Sequence, residues 1–234
     1  ATSRKLADLC RQKFIGEAPV NLLFCIDWRR IHRWAKIDCA PYSANHAFRH
    51  FWISFQDTII AAQNICTAAD AHGLGSVYIG TVMDLIPQMV DMFTLPREVM
   101  PVVLLCLGYP EGSPLPRRKL GPDVVVHHET YQDLSDDVLR DAFSAKYPDW
   151  QKAVDDRRLE SIQEVCTTVH GPEFADQCLA RIREQGYINM VQNYFGLHYV
   201  ADGMPQNNED FVKLIVDRGF TWFTKTEFPI ARAD

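Results

Sequence analysis

Residues 20–26, VNLLFCI, form one continuous apolar run. A run of this length is the pattern of a strand buried on both faces. A second, PVVLLCL at 101–107, closes on Gly108-Tyr109-Pro110. Between them, Trp52, Phe55, Ile59, Ala62, Cys66 and Ala69 recur at 3,4 spacing and predict a helix over about Phe48–His72. Its other faces also carry apolar groups (Phe51, Ile53, Ile60, Ile65), and Asp57 is the only formal charge between Phe51 and Ala69. A helix apolar nearly all round is expected at the centre of a domain or of a subunit interface. Gly73 suits its C-terminal stop.

Shorter elements fill the gaps. Residues 3–14 read as a helix with Leu6, Leu9 and Cys10 on one face, ended by Ala18-Pro19. Residues 74–80 read as a strand ending at Gly80, Asp84 as the cap of a helix to about Met92, and Val124-Val125-Val126 as a short β run. From Asp133 onward the pattern turns helical, over 135–146, 150–169, 172–185 and 208–218. Val154, Ile162, Val165 and Val169 mark one apolar stripe; Phe211, Leu214 and Ile215 mark another, with Asn207 or Asn208 as cap and Gly219 as stop. The whole is a mixed, mainly antiparallel sheet flanked by helices around a long central buried helix, with a C-terminal helical extension. That is α+β rather than a doubly wound fold. The expected division is a core over 1–133 and an extension over 134–234.

Composition agrees with a globular chain: 234 residues, 47% hydrophobic, 23% charged. The net charge of -6 argues against nucleic acid as the main partner. No apolar run reaches the length of a membrane span. The seven cysteines form no CxxC pair and several sit in apolar runs, so they read as reduced core thiols of a cytoplasmic protein.

Two features could carry chemistry. The turn Tyr78-Ile79-Gly80-Thr81 follows a buried helix and a short strand, and its glycine lets backbone amides approach a flat ligand. Pro116-Arg117-Arg118-Lys119-Leu120 places three cations after a Pro-rich loop, a plausible phosphate clamp. Each alone reads more simply as a strand-ending turn and a solvated basic run. No GxGxxG follows a strand, which leaves a dinucleotide-binding Rossmann reading without support. Adjacent His127 and His128 on a strand would point to opposite faces, so no metal site is assigned. Tyr187, Tyr194, Phe195 and Tyr199 read as core of the extension, and Asp155-Asp156-Arg157-Arg158 as a solvated helix start.

Four segments, in order, resemble the FMN-dependent nitroreductase family. They are FIGEAPVNLLFCID (14–27), DTIIAAQNICTAADAHGLGSVYIG (57–80), PVVLLCLGYP with PRRKL, and VVHHETYQD (125–133). The first and last are similar to the NADPH-dependent, oxygen-insensitive nitroreductase and flavin reductase subgroup. The resemblance covers roughly residues 5–133. It implies a homodimer with FMN at the interface and ping-pong electron transfer from NAD(P)H to nitroaromatics, quinones or flavins. Membranes and nucleic acids have no part in it, and no catalytic side chain is expected. By position it puts Tyr78, Ile79, Gly80 and Thr81 along the flavin ring, Arg117 and Lys119 on the FMN phosphate, and Gln12 near the ribityl side or ring edge. There are two departures. Thr81 stands where the subgroup usually has a second glycine, which is tolerable if its φ stays negative. The family's opening helix with an Arg-Ser-x-Arg phosphate motif has no counterpart here. That departure motivates an alternative, a non-catalytic nitroreductase-like ligand-binding or dimerisation protein.

Overall fold

The computed structural model describes residues 2–112 and 116–224, which fall into two units: 2–112 with 209–224, and 116–208.

The first unit is built on three strands. β1 (Val20–Asp27) and β2 (Gly75–Ile79) flank β3 (Val99–Gly108), and both pairings are antiparallel. The apolar run expected as a strand at 101–107 thus becomes the centre of the sheet, buried from Val99 to Cys106. The β1–β3 register slips once: Phe24 pairs with Val103 but Cys25 with Pro101, which leaves Val102 as the extra residue of a bulge. Proline has no N–H for a ladder, so a bulge is where a central strand tolerates one. The slip also switches faces. Leu104 and Cys106 join one core cluster, whereas Met100, of the same parity, joins the other with Val103.

The first cluster packs α1 (Thr2–Cys10) and α5 (Ile86–Phe93) against the sheet through Leu6, Cys10, Met89, Ile79 and Leu104. A short helix, α2 (Phe14–Glu17), precedes β1 and adds Ile15. The second cluster holds Ile26, Phe51, Ala62, Met100, Ile215 and Phe220, around the buried ring of Trp28. Trp28 opens α3 (Trp28–Ile37), capped by the Asp27 carboxylate on the Arg30 N–H at 3.0 Å. α4 (Phe48–Ala71) runs along the sheet, and Gly73 beyond it has φ +71. Within this chain only Phe51, Ala62, Cys66 and Ala69 of α4 are buried; Trp52 is 53% exposed and Ile60 65%. Its sheet-facing side is therefore covered and the rest of its apolar surface is open.

The second unit contains α6 (Pro122–Val125), α7 (Asp136–Lys146), α8 (Asp156–His170), α9 (Pro172–Gln185) and α10 (Met190–Asn193), which continues into a π-helical turn at Tyr194–His198. α8 and α9 form a hairpin about Gly171, with Ile162, Leu179, Ile182 and Ile188 between them. Gly196 lies so close to α8 that a Cβ there would stand 2.9 Å from Ile162 Cγ1.

Some sequence expectations are corrected. Val124-Val125 lie in a helical turn, not a strand: Pro122 presets helical φ, and no strand pairs with them. His127 and His128 consequently lie on a loop, where His127 Nδ1 accepts the Gln132 N–H at 3.0 Å. Asp84 ends a 3-10 turn, and α5 starts after Leu85 with Pro87 in its first turn. α8 starts at Asp156 rather than near 150, because Lys152 is held extended opposite Ile188 and the Asp155 carboxylate caps the Arg158 N–H. Tyr194, Phe195 and Tyr199 are exposed, not core. The last helix among the described residues, α11 (Asn208–Asp217), and the turn after it deliver Ile215 and Phe220 to the first unit's core. Residues 225–234 of the expected extension lie outside the described residues.

Candidate functional site

The candidate site of the first unit is assembled by the end of β2 and the end of α1. Alternation along β2 sends Ile79 into the core, 2% exposed, and leaves the neighbouring Tyr78 partly open. After Ile79 pairs with Leu104 the ladder stops and a 3-10 turn, Gly80–Met83, begins. Val82 anchors this turn, fully buried among Leu104, Met89 and Cys10.

The opening N–H groups of a single helical turn have no acceptor inside it. Among the described residues, those of Gly80 and Thr81 also make none of the backbone bonds outside helices and ladders. Gly80 does not have positive φ, and a Cβ added to it would meet nothing within 4 Å. Neither backbone strain nor packing within this chain calls for glycine there. Its effect is to leave the side of the turn clear for a close approach. Thr81 keeps a negative φ, so replacing the subgroup's second glycine introduces no strain.

Gln12 reaches the same turn. α1 ends at Cys10, Arg11 adopts a left-handed conformation (φ +53), and the Gln12 N–H returns to the Ala7 carbonyl at 3.0 Å. This reversal aims the side chain across 69 residues of sequence, and Gln12 Nε2 donates to Thr81 Oγ1 at 3.2 Å. Two residues singled out separately are thus in direct contact.

Tyr78 is fixed by a residue the sequence reading overlooked. Its hydroxyl donates to Gln63 Oε1 of α4 at 3.3 Å. Gln63 is one of the few polar groups in the middle of that apolar helix, and that oddity was the available signal. The Tyr78 hydroxyl is pushed up to about 12, first by desolvation and then by hydrogen bonding to and charge on Cys66. It stays protonated, a donor, at any ordinary pH.

Arg117 and Lys119 lie in the second unit, exposed, on an extended segment leading to α6. The middle cation is used internally, since Arg118 Nη1 donates to the Ala145 carbonyl at 3.4 Å. Arg117 and Lys119 have no ion-pair or hydrogen-bond partner among the described residues. They are available to an anion.

Comparison with known proteins converges on one group. Residues 1–109 match the Nitroreductase family. The chain is 32% identical over 128 residues to an oxygen-insensitive NADPH nitroreductase of Salmonella typhimurium, covering 55% of this chain and 51% of that one. It spans about half the length of the curated relatives it matches. Among solved structures, an oxidoreductase from Bacteroides fragilis superposes with TM-score 0.70 at 24% identity, over 94% of this chain and 78% of the other. An NADPH:FMN oxidoreductase of Vibrio harveyi, solved with NAD+, superposes with TM-score 0.56 at 29% identity, over 79% and 75%. The α+β fold is that of these neighbours.

Proposed function

Because residues 1–109 match the Nitroreductase family, we propose that the chain is the flavin-binding part of an NAD(P)H-dependent FMN oxidoreductase, acting on nitroaromatics, quinones or flavins. The observation that carries this reading is the turn after β2. A glycine required by neither φ nor packing clears the approach to two N–H groups, and Gln12 braces the adjoining threonine.

The residues present suit the cofactor. In this reading the Gly80 and Thr81 N–H groups donate to the polar edge of a flat ring, and fixed donors there favour negative charge on it. Ile79 and Val82 hold the turn from beneath, so the donors are preorganised. Gln12, tied to Thr81, lies at the ring edge or ribityl side. Tyr78, pinned to Gln63, lines the approach. The family resemblance assigns the phosphate to Arg117 and Lys119, the first able to bind two oxygens and the second acting as a point charge. When bound, FMN would supply the redox chemistry between NAD(P)H and an acceptor, in alternating half-reactions. No side chain of this chain acts as nucleophile.

The open apolar surface of α4, with Trp52, Ile53 and Ile60, supports a homodimer with FMN at the interface. The test is spectroscopic. The purified protein supplied with FMN is expected to carry a yellow flavin spectrum that NADPH or NADH bleaches and that an added quinone or nitroaromatic restores. A protein that takes up no FMN defeats the proposal. One that binds FMN without turnover leaves a non-catalytic ligand-binding role in its place.

A further inference from the structure

The second unit contains a cleft of about 920 Å³ that plays no part in the flavin site proposed above. Aromatic rings form part of its otherwise largely polar wall, among them Phe143 and Tyr147 from the end of α7, Trp150 from the loop that follows, and Tyr187 from beyond α9. Phe143 and Tyr147 pack together at 4.9 Å between ring centroids, which gives that side a continuous apolar face. All four are half-buried and still line open space.

The polar groups of the cleft are unevenly used. Gln185 Nε2 donates to Gln192 Oε1 at 2.7 Å, and Gln192 is further tied to the Asn189 cap. Arg140 is bonded to Asp137 at 2.6 Å. Arg181, by contrast, has no ion-pair or hydrogen-bond partner among the described residues, and neither has the indole N–H of Trp150. Both can only donate. Asp149 is the one carboxylate on the lining. Arg181 and the indole are thus donors left over beside aromatic rings, while Asp149 is equally without a partner among the described residues.

We propose that this cleft is a second small-molecule site, taking a planar aromatic carboxylate whose ring packs among Phe143, Tyr147 and Tyr187 and whose carboxylate accepts from Arg181 and the Trp150 indole. Its volume lies at the upper end of ordinary ligand pockets and leaves ample room for a bicyclic ligand. A guanidinium–carboxylate contact at a half-enclosed aromatic wall is stronger than the same contact on open surface. The neutral analogue of such a ligand forfeits that contact and keeps only the stacking.

The probe is 2-naphthoate, titrated by calorimetry into the full chain with FMN in excess, and 2-naphthylmethanol is the neutral control. Trp150 is the only tryptophan in residues 114–208, so ligand-induced quenching that disappears in Trp150→Phe reports this cleft. The expected result is one naphthoate per chain, weakened about tenfold in Arg181→Gln. Binding of the alcohol should be weaker and indifferent to that substitution. Unchanged far-UV circular dichroism and melting temperature establish that both variants are folded. Absence of naphthoate binding, equal binding to wild type and Arg181→Gln, or competition between naphthoate and FMN overturns the proposal. If the chain takes up no flavin, the same titration without FMN still decides it, so failure of the flavin reading is separable.

Discussion

Thr81 has more than one role in this structure. It occupies the position after Gly80 without backbone strain, and its hydroxyl is the acceptor that fixes Gln12. Thr81→Ala leaves the Gln12 amide short of a partner in a half-buried place. The expected loss is about 1 kcal/mol in urea unfolding, with a weaker affinity for FMN measured by fluorescence. A variant with unaltered FMN affinity would detach Gln12 from the flavin site. The cysteines act at the same scale. Burial, then the Asp27 charge, pushes the Cys25 thiol up to about 11, and burial, then Cys10, does the same to Cys106. A thiol whose pKa is higher folded than unfolded keeps its proton in the native state after the unfolded chain has lost its own. The contribution is intact below about pH 9 and falls away as pH climbs to about 11. The melting temperature should decline across that interval, and less steeply in Cys106→Ala.

Among the elements, α11 is attached through the Ile215 and Phe220 contacts and through hydrogen bonds concentrated at its end. Arg218, just past its end, donates through Nη2 to the carbonyls of Leu95, Pro96 and Val99, and the Arg218 carbonyl accepts the Glu98 N–H at 2.7 Å. Burial, then the neighbouring Arg97, lowers its pKa from the usual guanidinium value. Arg218→Met keeps much of the stem volume and removes the donors. The expected cost is about 2 kcal/mol in denaturant titration, with Arg218→Lys in between. Little of this was legible in the sequence. The amphipathic stripe of 208–218 announced a helix, and Ile215 does face a core. That the core belongs to a sheet whose central strand lies over 100 residues earlier is a tertiary fact, carried by carbonyls that every sequence possesses. Conversely, β1, β3 and α4 were readable because long apolar runs allow few alternatives.

For the whole molecule, the feature to explain is the apolar surface left open on α4. Trp52, Ile53 and Ile60 are each at least 40% exposed, and Phe48 beside them is 52% exposed. Isolated exposed apolar residues are ordinary, but several together on one helix support the proposed subunit interface. Trp52→Glu combined with Ile60→Glu should yield a species of half the mass in sedimentation analysis. FMN retention should fall with it, if both subunits hold the cofactor. A wild-type chain that sediments as a monomer with FMN bound would remove the dimer from the proposal.

The chain's own pattern determined the two apolar strands, the long helix and the glycine turn, because burial and chain reversal impose period and residue type locally, but it overstated the burial of β1, an edge strand in which only Ile26 is buried. It also marked the run Arg117-Arg118-Lys119 as a candidate anion binder, since charge is a property of the residue. Tertiary structure alone decided that Gln12 meets Thr81, that Gln63 pins Tyr78 and that α11 returns to the sheet. It also decided that much of the apolar surface of α4 stays uncovered. Each of these depends on which distant surfaces meet, and a contact across many residues leaves no period in the sequence from which it could be read.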